Sequence, residues 1–223
     1  MIEACIFDIG GVLVRTEDAI LYAVRSTMAK NNLQPPPEGQ IFKYFGMSNR
    51  FILESSVVLS YKGSNLRDIS EKCYKSFKEI YPEKLLDKHK SIPGVDDCLR
   101  ELNARGITTA CQTGMTLSEA KSLLEHFNLL HYFSVMVTLD DIKNTRPDPE
   151  AMYLILKKLN ITDKSKCLYI GDTVKDIQFA RNAGVKIACV TTGPQSRETL
   201  AKEKPDYLMH NLIELPKLIQ VVH

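Results

Sequence analysis

Short apolar runs rich in β-branched residues alternate with amphipathic helical segments along most of this 223-residue chain, and one long stretch breaks the alternation. The strand-like runs are Ala4–Ile9, Ile107–Gln112, Val135–Leu139, Cys167–Ile170, Ile187–Val190 and the weaker Tyr207–Met209. Helical periodicity predicts Val95–Arg105, Leu117–Phe127, Pro149–Leu159 and Val174–Ala183 between the later strands, with Gly106 and Gly184 as stop signals. Near-continuous apolar strands separated by helices imply a parallel sheet covered on both faces, which is a doubly wound, Rossmann-like α/β core.

The exception runs from Glu17 to Lys88 and reads as helix only: Ala19–Lys30, Glu38–Phe45, Asn49–Ser60 and Leu66–Ile80. The turn cluster Gln34-Pro35-Pro36-Pro37 breaks it after the first helix. A crossover between two parallel strands needs far less chain. The expected organisation is an α/β core from residues 1–16 and 89–223, with residues 17–88 inserted as a helical cap domain.

Composition limits the possible partners. Basic and acidic side chains number 29 and 27, a net charge of +2, so nothing points to a nucleic-acid or membrane surface. No apolar run approaches the roughly 18 residues of a membrane span. None of the six cysteines forms a C-x-x-C pair, and Cys5, Cys111, Cys167 and Cys189 fall inside strand-like runs as small buried hydrophobes. A reduced, cytoplasmic protein is expected, as a monomer or a homodimer.

Four segments carry chemistry. Asp8 ends the first strand ahead of Gly10-Gly11, Thr113-Gly114 follows the second, Arg146-Pro147-Asp148-Pro149 leads into a helix, and Gly171-Asp172-Thr173-Val174-Lys175-Asp176 follows the strand ending at Ile170. In a parallel sheet these positions converge on one edge, where open α/β folds bind their ligands. Singly, each reads as a turn former, helix cap or loop charge. Together, two acids, a cation, a hydroxyl and glycine-freed amides form a metal-assisted phosphoryl site. An Asp of ordinary pKa is already ionised near neutral pH and needs no base to become a nucleophile. Mg²⁺ held by the acids, with Arg146 opposite, relieves its repulsion by a phosphoryl dianion. Lys143 is a rival cation three positions earlier, and the five histidines show no ligand spacing.

The order FDIGGVLVRTE, T-G, RPDPE, GDTVKD resembles the haloacid dehalogenase-like hydrolase superfamily, in the branch whose helical cap follows the first motif. Phosphoglycolate phosphatase, β-phosphoglucomutase and phosphonoacetaldehyde hydrolase are similar members. The resemblance implies a Mg²⁺-dependent hydrolase of a small phosphorylated metabolite. It makes Asp8 the nucleophile that forms an aspartyl-phosphate, Thr113 the phosphate-binding hydroxyl, and Arg146 the replacement for a motif lysine. Asp172 and Asp176 become metal ligands, directly or through water, and Gly10 contributes its backbone carbonyl. Gly114 and the cap segment Gly46-Met47-Ser48-Asn49-Arg50 match the substrate-binding elements, with Ser48, Asn49 and Arg50 available to a polar or anionic leaving group.

Three positions depart from that pattern. Gly10 stands where the family has a second Asp, which removes the acid–base group and keeps the carbonyl. Arg146 replaces lysine with a bulkier fork, and Arg15 stands where an Asp is usual. The first two departures are shared with phosphonoacetaldehyde hydrolase, so carbon–phosphorus cleavage is an alternative. That chemistry needs an imine-forming cap lysine, whose place is taken by Asn49, while Lys43 and Lys62 are out of register. A weakly active or non-catalytic phosphate-ester-binding relative is the other alternative.

Overall fold

The structure is a computed structural model and describes residues 1–81 and 83–221. Its strands in chain order are β1 (Ala4–Phe7), β2 (Val14–Arg15), β3 (Lys90–Ser91), β4 (Thr108–Gln112), β5 (Val135–Val137), β6 (Cys167–Gly171), β7 (Lys186–Val190) and β8 (Tyr207–Met209). The main sheet has six strands in the order β5-β4-β1-β6-β7-β8, and every pairing in it is parallel.

The helices are α1 (Glu17–Lys30), α2 (Glu38–Ile41), α3 (Asn49–Ser60), α4 (Leu66–Ile80), α5 (Val95–Ala104), α6 (Leu117–His126), α7 (Glu150–Lys158), α8 (Val174–Ala183), α9 (Arg197–Lys202) and α10 (Leu215–Val221). The pleat of β1 divides the core into two layers. Cys5 and Phe7 join a cluster with side chains of α5, α6 and α10. Ala4 and Ile6 join one with side chains of α7, α8 and α9. This is the doubly wound α/β core with helices on both faces that the alternation predicts.

The helical stretch builds a third apolar cluster of its own, in which Ala23, Val24 and Met28 of α1 pack with Ile52 and Leu53 of α3 and Cys73 and Phe77 of α4. The chain leaves and re-enters the core through β2 and β3, an antiparallel pair in which Val14 faces Ser91 and Arg15 faces Lys90. Two-residue strands carry no periodicity, so the sequence does not announce them. The short helices α9 and α10 are likewise additions.

Several elements stop early for local reasons. β1 ends at Phe7, because the carbonyl of Ile9 turns to accept the N–H groups of Leu13 (2.9 Å) and Val14 (3.1 Å). β5 ends at Val137, where Thr138 and Asp141 form a capping box around a 3₁₀ turn at Leu139–Asp141. The helix expected over Glu38–Phe45 divides into α2 and a 3₁₀ turn at Phe42–Tyr44. α3, α4 and α8 have the predicted limits.

Candidate active site

β1 lies between β4 and β6, so the residues following their carboxyl ends are neighbours across the sheet edge. Asp8 follows β1, and its N–H donates to the Ile170 carbonyl of β6 at 2.9 Å. Thr113 follows β4, and its N–H donates to the Val137 carbonyl of β5 at 3.1 Å. Asp172 follows β6. The side chains of Asp8, Thr113, Arg146, Asp172 and Asp176 are all buried.

Asp176 is the most heavily bonded of these groups. As the third residue of α8 it closes a capping box with Thr173. Its Oδ2 accepts from the Thr173 hydroxyl (2.5 Å) and from the N–H groups of Thr173 (3.0 Å) and Asp172 (3.3 Å). Its Oδ1 lies 3.0 Å from the Tyr169 hydroxyl and pairs with the Arg146 guanidinium. Arg146 Nη1 also lies 3.0 Å from Asp8 Oδ2 and 3.1 Å from the Tyr169 hydroxyl. Asp176 therefore fixes Arg146, and Arg146 holds one oxygen of Asp8.

The other oxygen of Asp8, Oδ1, is buried without a hydrogen-bond partner, and so is Oδ1 of Asp172. Ligand atoms of Asp8, Asp172 and Asp176 all lie within 4.8 Å of one another. Three carboxylates against one guanidinium leave the cluster two charges negative. Burial raises the Asp8 carboxyl to a pKa of about 6, with Arg146 pulling it down and Asp176 pushing it up. Burial also raises Asp172 well above the usual carboxylate range, helped by Asp176, Asp8 and Glu17. A divalent cation matches this set in charge and in its preference for carboxylate oxygens.

Two glycines make room for Asp172. A Cβ on Gly11, which has φ +72°, would stand 2.1 Å from Asp172 Oδ2, and one on Gly193 would stand 1.7 Å from it. Across the cleft, Gly46 (φ +90°) brings the loop before α3 against the start of α8: a Cβ there would lie 2.7 Å from the Thr173 hydroxyl oxygen. Backbone atoms of Met47 and Ser48 lie 3.4 Å from the position a Cβ on Gly114 would take. The resulting cleft is lined by Asp8, Gly10, Thr113, Gly114, Arg146 and Asp172, and on its other side by Gly46 and Asn49.

The remaining expected site residues separate. Asn49 lines the cleft and holds its amide nitrogen 3.5 Å from Glu119 Oε1. Ser48 is the N-cap of α3, its hydroxyl accepting from the Phe51 N–H at 3.3 Å. Arg50 makes its contacts outside this group. It pairs with Glu54 at 2.7 Å and with Glu71, lies 4.5 Å above the Tyr74 ring, and does not line the cleft. One step along a helix turns a side chain by about 100°, and Glu54 at i+4 takes the charge. Lys143 is exposed, and Thr116 rather than Thr113 caps α6. Tyr169, Gln112, Gly193 and Glu17 were not singled out by the sequence. The Tyr169 hydroxyl donates to Gln112 Oε1 at 3.2 Å, and a polar side chain at the buried carboxyl end of β4 and within the apolar run of β6 is the signal that marks the two.

The family profile described as haloacid dehalogenase-like hydrolase matches residues 5–190, which takes in Asp8, Thr113, Arg146, Asp172 and Asp176. The chain belongs to the haloacid dehalogenase-like hydrolase family. It is an enzyme of that hydrolase class, and its relatives are phosphatases. A protein of Caldanaerobacter subterraneus subsp. tengcongensis, provisionally named pyrophosphatase PpaX, is 30% identical over 98% of this chain and 95% of its own length. The phosphoglycolate phosphatase of Nitrosococcus oceani is 23% identical over 97% and 96%. The crystal structure of a predicted phosphoglycolate phosphatase from Haemophilus somnus superposes with a TM-score of 0.90 at 23% identity, covering 98% of both chains. The haloacid dehalogenase-like frame thus spans the core and the helical insertion alike. No helix among the described residues is long and apolar enough to cross a membrane.

Proposed function

We propose that the protein is a Mg²⁺-dependent hydrolase of small phosphate esters that forms an aspartyl-phosphate on Asp8, with residues 1–16 and 89–223 as its core and residues 17–88 as the cap that selects the leaving group. The observation that carries this reading is the pair of buried, unpartnered oxygens, Asp8 Oδ1 and Asp172 Oδ1, in one net-negative cluster. Buried polar atoms are rarely left without a partner, and such orphans mark a site for an absent ligand.

Asp8, Asp172 and the Gly10 carbonyl would hold the metal, with Asp176 behind them. When bound, Mg²⁺ supplies positive charge that offsets the repulsion between carboxylate and phosphoryl dianion. Arg146 grips Asp8 Oδ2 and leaves Oδ1 as the free oxygen to attack phosphorus. The Thr113 hydroxyl and the backbone at Gly114 face the same cleft and are available to phosphoryl oxygens. Asp176 and Tyr169 keep Arg146 in place. The cap loop at Gly46–Asn49 closes the cleft on the leaving-group side and excludes water.

Carbon–phosphorus cleavage through an imine has less support, since no lysine lines the cleft among the described residues and the amide of Asn49 occupies the corresponding place. The deciding experiment is a phosphate-release screen over a metabolite library with Mg²⁺, comparing wild type with Asp8→Asn. Release that is abolished by EDTA and by Asp8→Asn, with a hydroxylamine-labile phosphoryl group on wild type after rapid quenching, is the expected result. Turnover indifferent to chelation or to Asp8→Asn would overturn the mechanism.

A further inference from the structure

Gly10 leaves the phosphate-ester reading without a proton donor for the leaving oxygen, and the structure shows what stands in that space. A Cβ on Gly10 would lie 3.0 Å from the Thr16 hydroxyl oxygen. Thr16 is the N-cap of α1 by position, yet its side chain caps nothing, which leaves the hydroxyl turned to Gly10. The next residue, Glu17, lines the same cleft as Asp8, Gly10 and Asp172. Its Oε2 is buried and has no hydrogen-bond partner. Helix α1 thus brings a carboxyl group into the cleft that Gly10 lines.

We propose that Glu17 is the acid–base residue of this enzyme, replacing the carboxyl absent at Gly10. The inference rests on the phosphate-ester reading and assigns a role within the same site.

In the first half-reaction an oxygen of Asp8 bonds to phosphorus and the ester P–O bond breaks. Its electron pair stays on the leaving oxygen, which takes the proton of the Glu17 carboxyl group. The alcohol departs and Glu17 is left as carboxylate. In the second half-reaction a water oxygen bonds to phosphorus, one water proton passes to Glu17, and the bond from phosphorus to Asp8 breaks. Inorganic phosphate leaves, and both side chains return to their starting states.

The surroundings suit this cycle. Burial raises the Glu17 carboxyl above its ordinary range, partly offset by its own backbone N–H, by Arg15 and by the N–H of Thr16, with Asp18 acting upward. Glu17 is in turn one of the acids that push Asp172 upward. Glu17 also belongs to the helix that packs with α3 and α4, so its backbone position is fixed by that cluster.

The test compares two probes with Mg²⁺, 4-nitrophenyl phosphate and an alkyl phosphate (glycerol 2-phosphate), on wild type and Glu17→Gln. Nitrophenolate leaves as a stable anion, whereas an alkoxide needs the proton. The expected result is a loss of about 10²-fold or more in kcat/KM on the alkyl ester, the usual worth of general acid–base help, with kcat/KM on the aryl ester reduced no more than a few-fold. The reason is that kcat/KM reports the half-reaction up to release of the leaving group, whereas the water step is common to both esters. The retained aryl activity also shows that the variant is folded, and Glu17→Asp should recover part of the alkyl rate. Equal losses of kcat/KM on both esters, or no loss on either, would overturn the role. So would a wild type that cleaves the aryl ester and leaves the alkyl one untouched. A wild type silent on both, and unchanged by Asp8→Asn, would instead remove the phosphate-ester reading and this inference with it.

Discussion

Arg146 joins Asp8 to Asp176: its Nη1 lies 3.0 Å from Asp8 Oδ2, and the same guanidinium pairs with Asp176 Oδ1. All three side chains are buried, so this cation is the balancing charge of the site's interior.

Removing it should therefore cost far more than a surface ion pair. Arg146→Met leaves Asp8 and Asp176 uncompensated, and breaking a buried pair from one side typically costs about 3–5 kcal/mol. Chemical denaturation of the metal-free variant should show that loss. Arg146→Lys should retain part of the stability but not the shared contacts to Tyr169 and both acids, and so fall between the two.

Mg²⁺ should stabilise the wild type and do so through Asp172. At a free Mg²⁺ concentration 100 times the Kd, the gain is about 2.7 kcal/mol, visible as a rise in Tm. Asp172→Asn should abolish that rise. Without metal, the same variant should be at least as stable as wild type, because it removes a carboxyl whose charged form is disfavoured by burial and by Asp176, Asp8 and Glu17.

The pH dependence of the metal-free protein has a definite sign. Asp8 has a folded pKa of about 6, above its ordinary value of 3.8, so folding takes up a proton. A raised pKa contributes stability that is fully present below the unfolded value and is lost as pH rises through the folded one. The Tm of wild type minus that of Asp8→Asn should accordingly fall between about pH 4 and pH 7 in EDTA. A difference that rose with pH across this window would contradict the burial of Asp8.

Gly193→Ala should damage the metal site without touching a ligand. The new Cβ would stand 1.7 Å from Asp172 Oδ2, so the carboxylate must move. Overpacking of this kind costs about 1–3 kcal/mol, and the Mg²⁺-induced rise in Tm should shrink with it. Gly106→Ala, where nothing lies within 4 Å of the added carbon, reports the cost of a positive φ alone (+75°) and should leave the metal response intact.

Much of this protein is legible from local pattern. Alternating apolar strands and amphipathic helices determine the α/β core, because burial on two faces and on one stripe leave different periodicities. The limits of α3, α4 and α8 follow from caps and period. Asp8, Thr113, Arg146 and Asp172 are legible because in a parallel sheet the order of motifs after strands already predicts one edge. Packing at a distance decided the rest. Arg50 left the cleft because Glu54 and Glu71 were there to meet it. Gly193 became a neighbour of Asp172 only once the loop after β7 folded over it. The sequence by itself determined that an acid would end the first strand and that no second acid would stand two residues on. Only the tertiary structure decided that Glu17, carried on α1, would line the same cleft as Gly10, because the direction of α1 is set by its packing with α3 and α4.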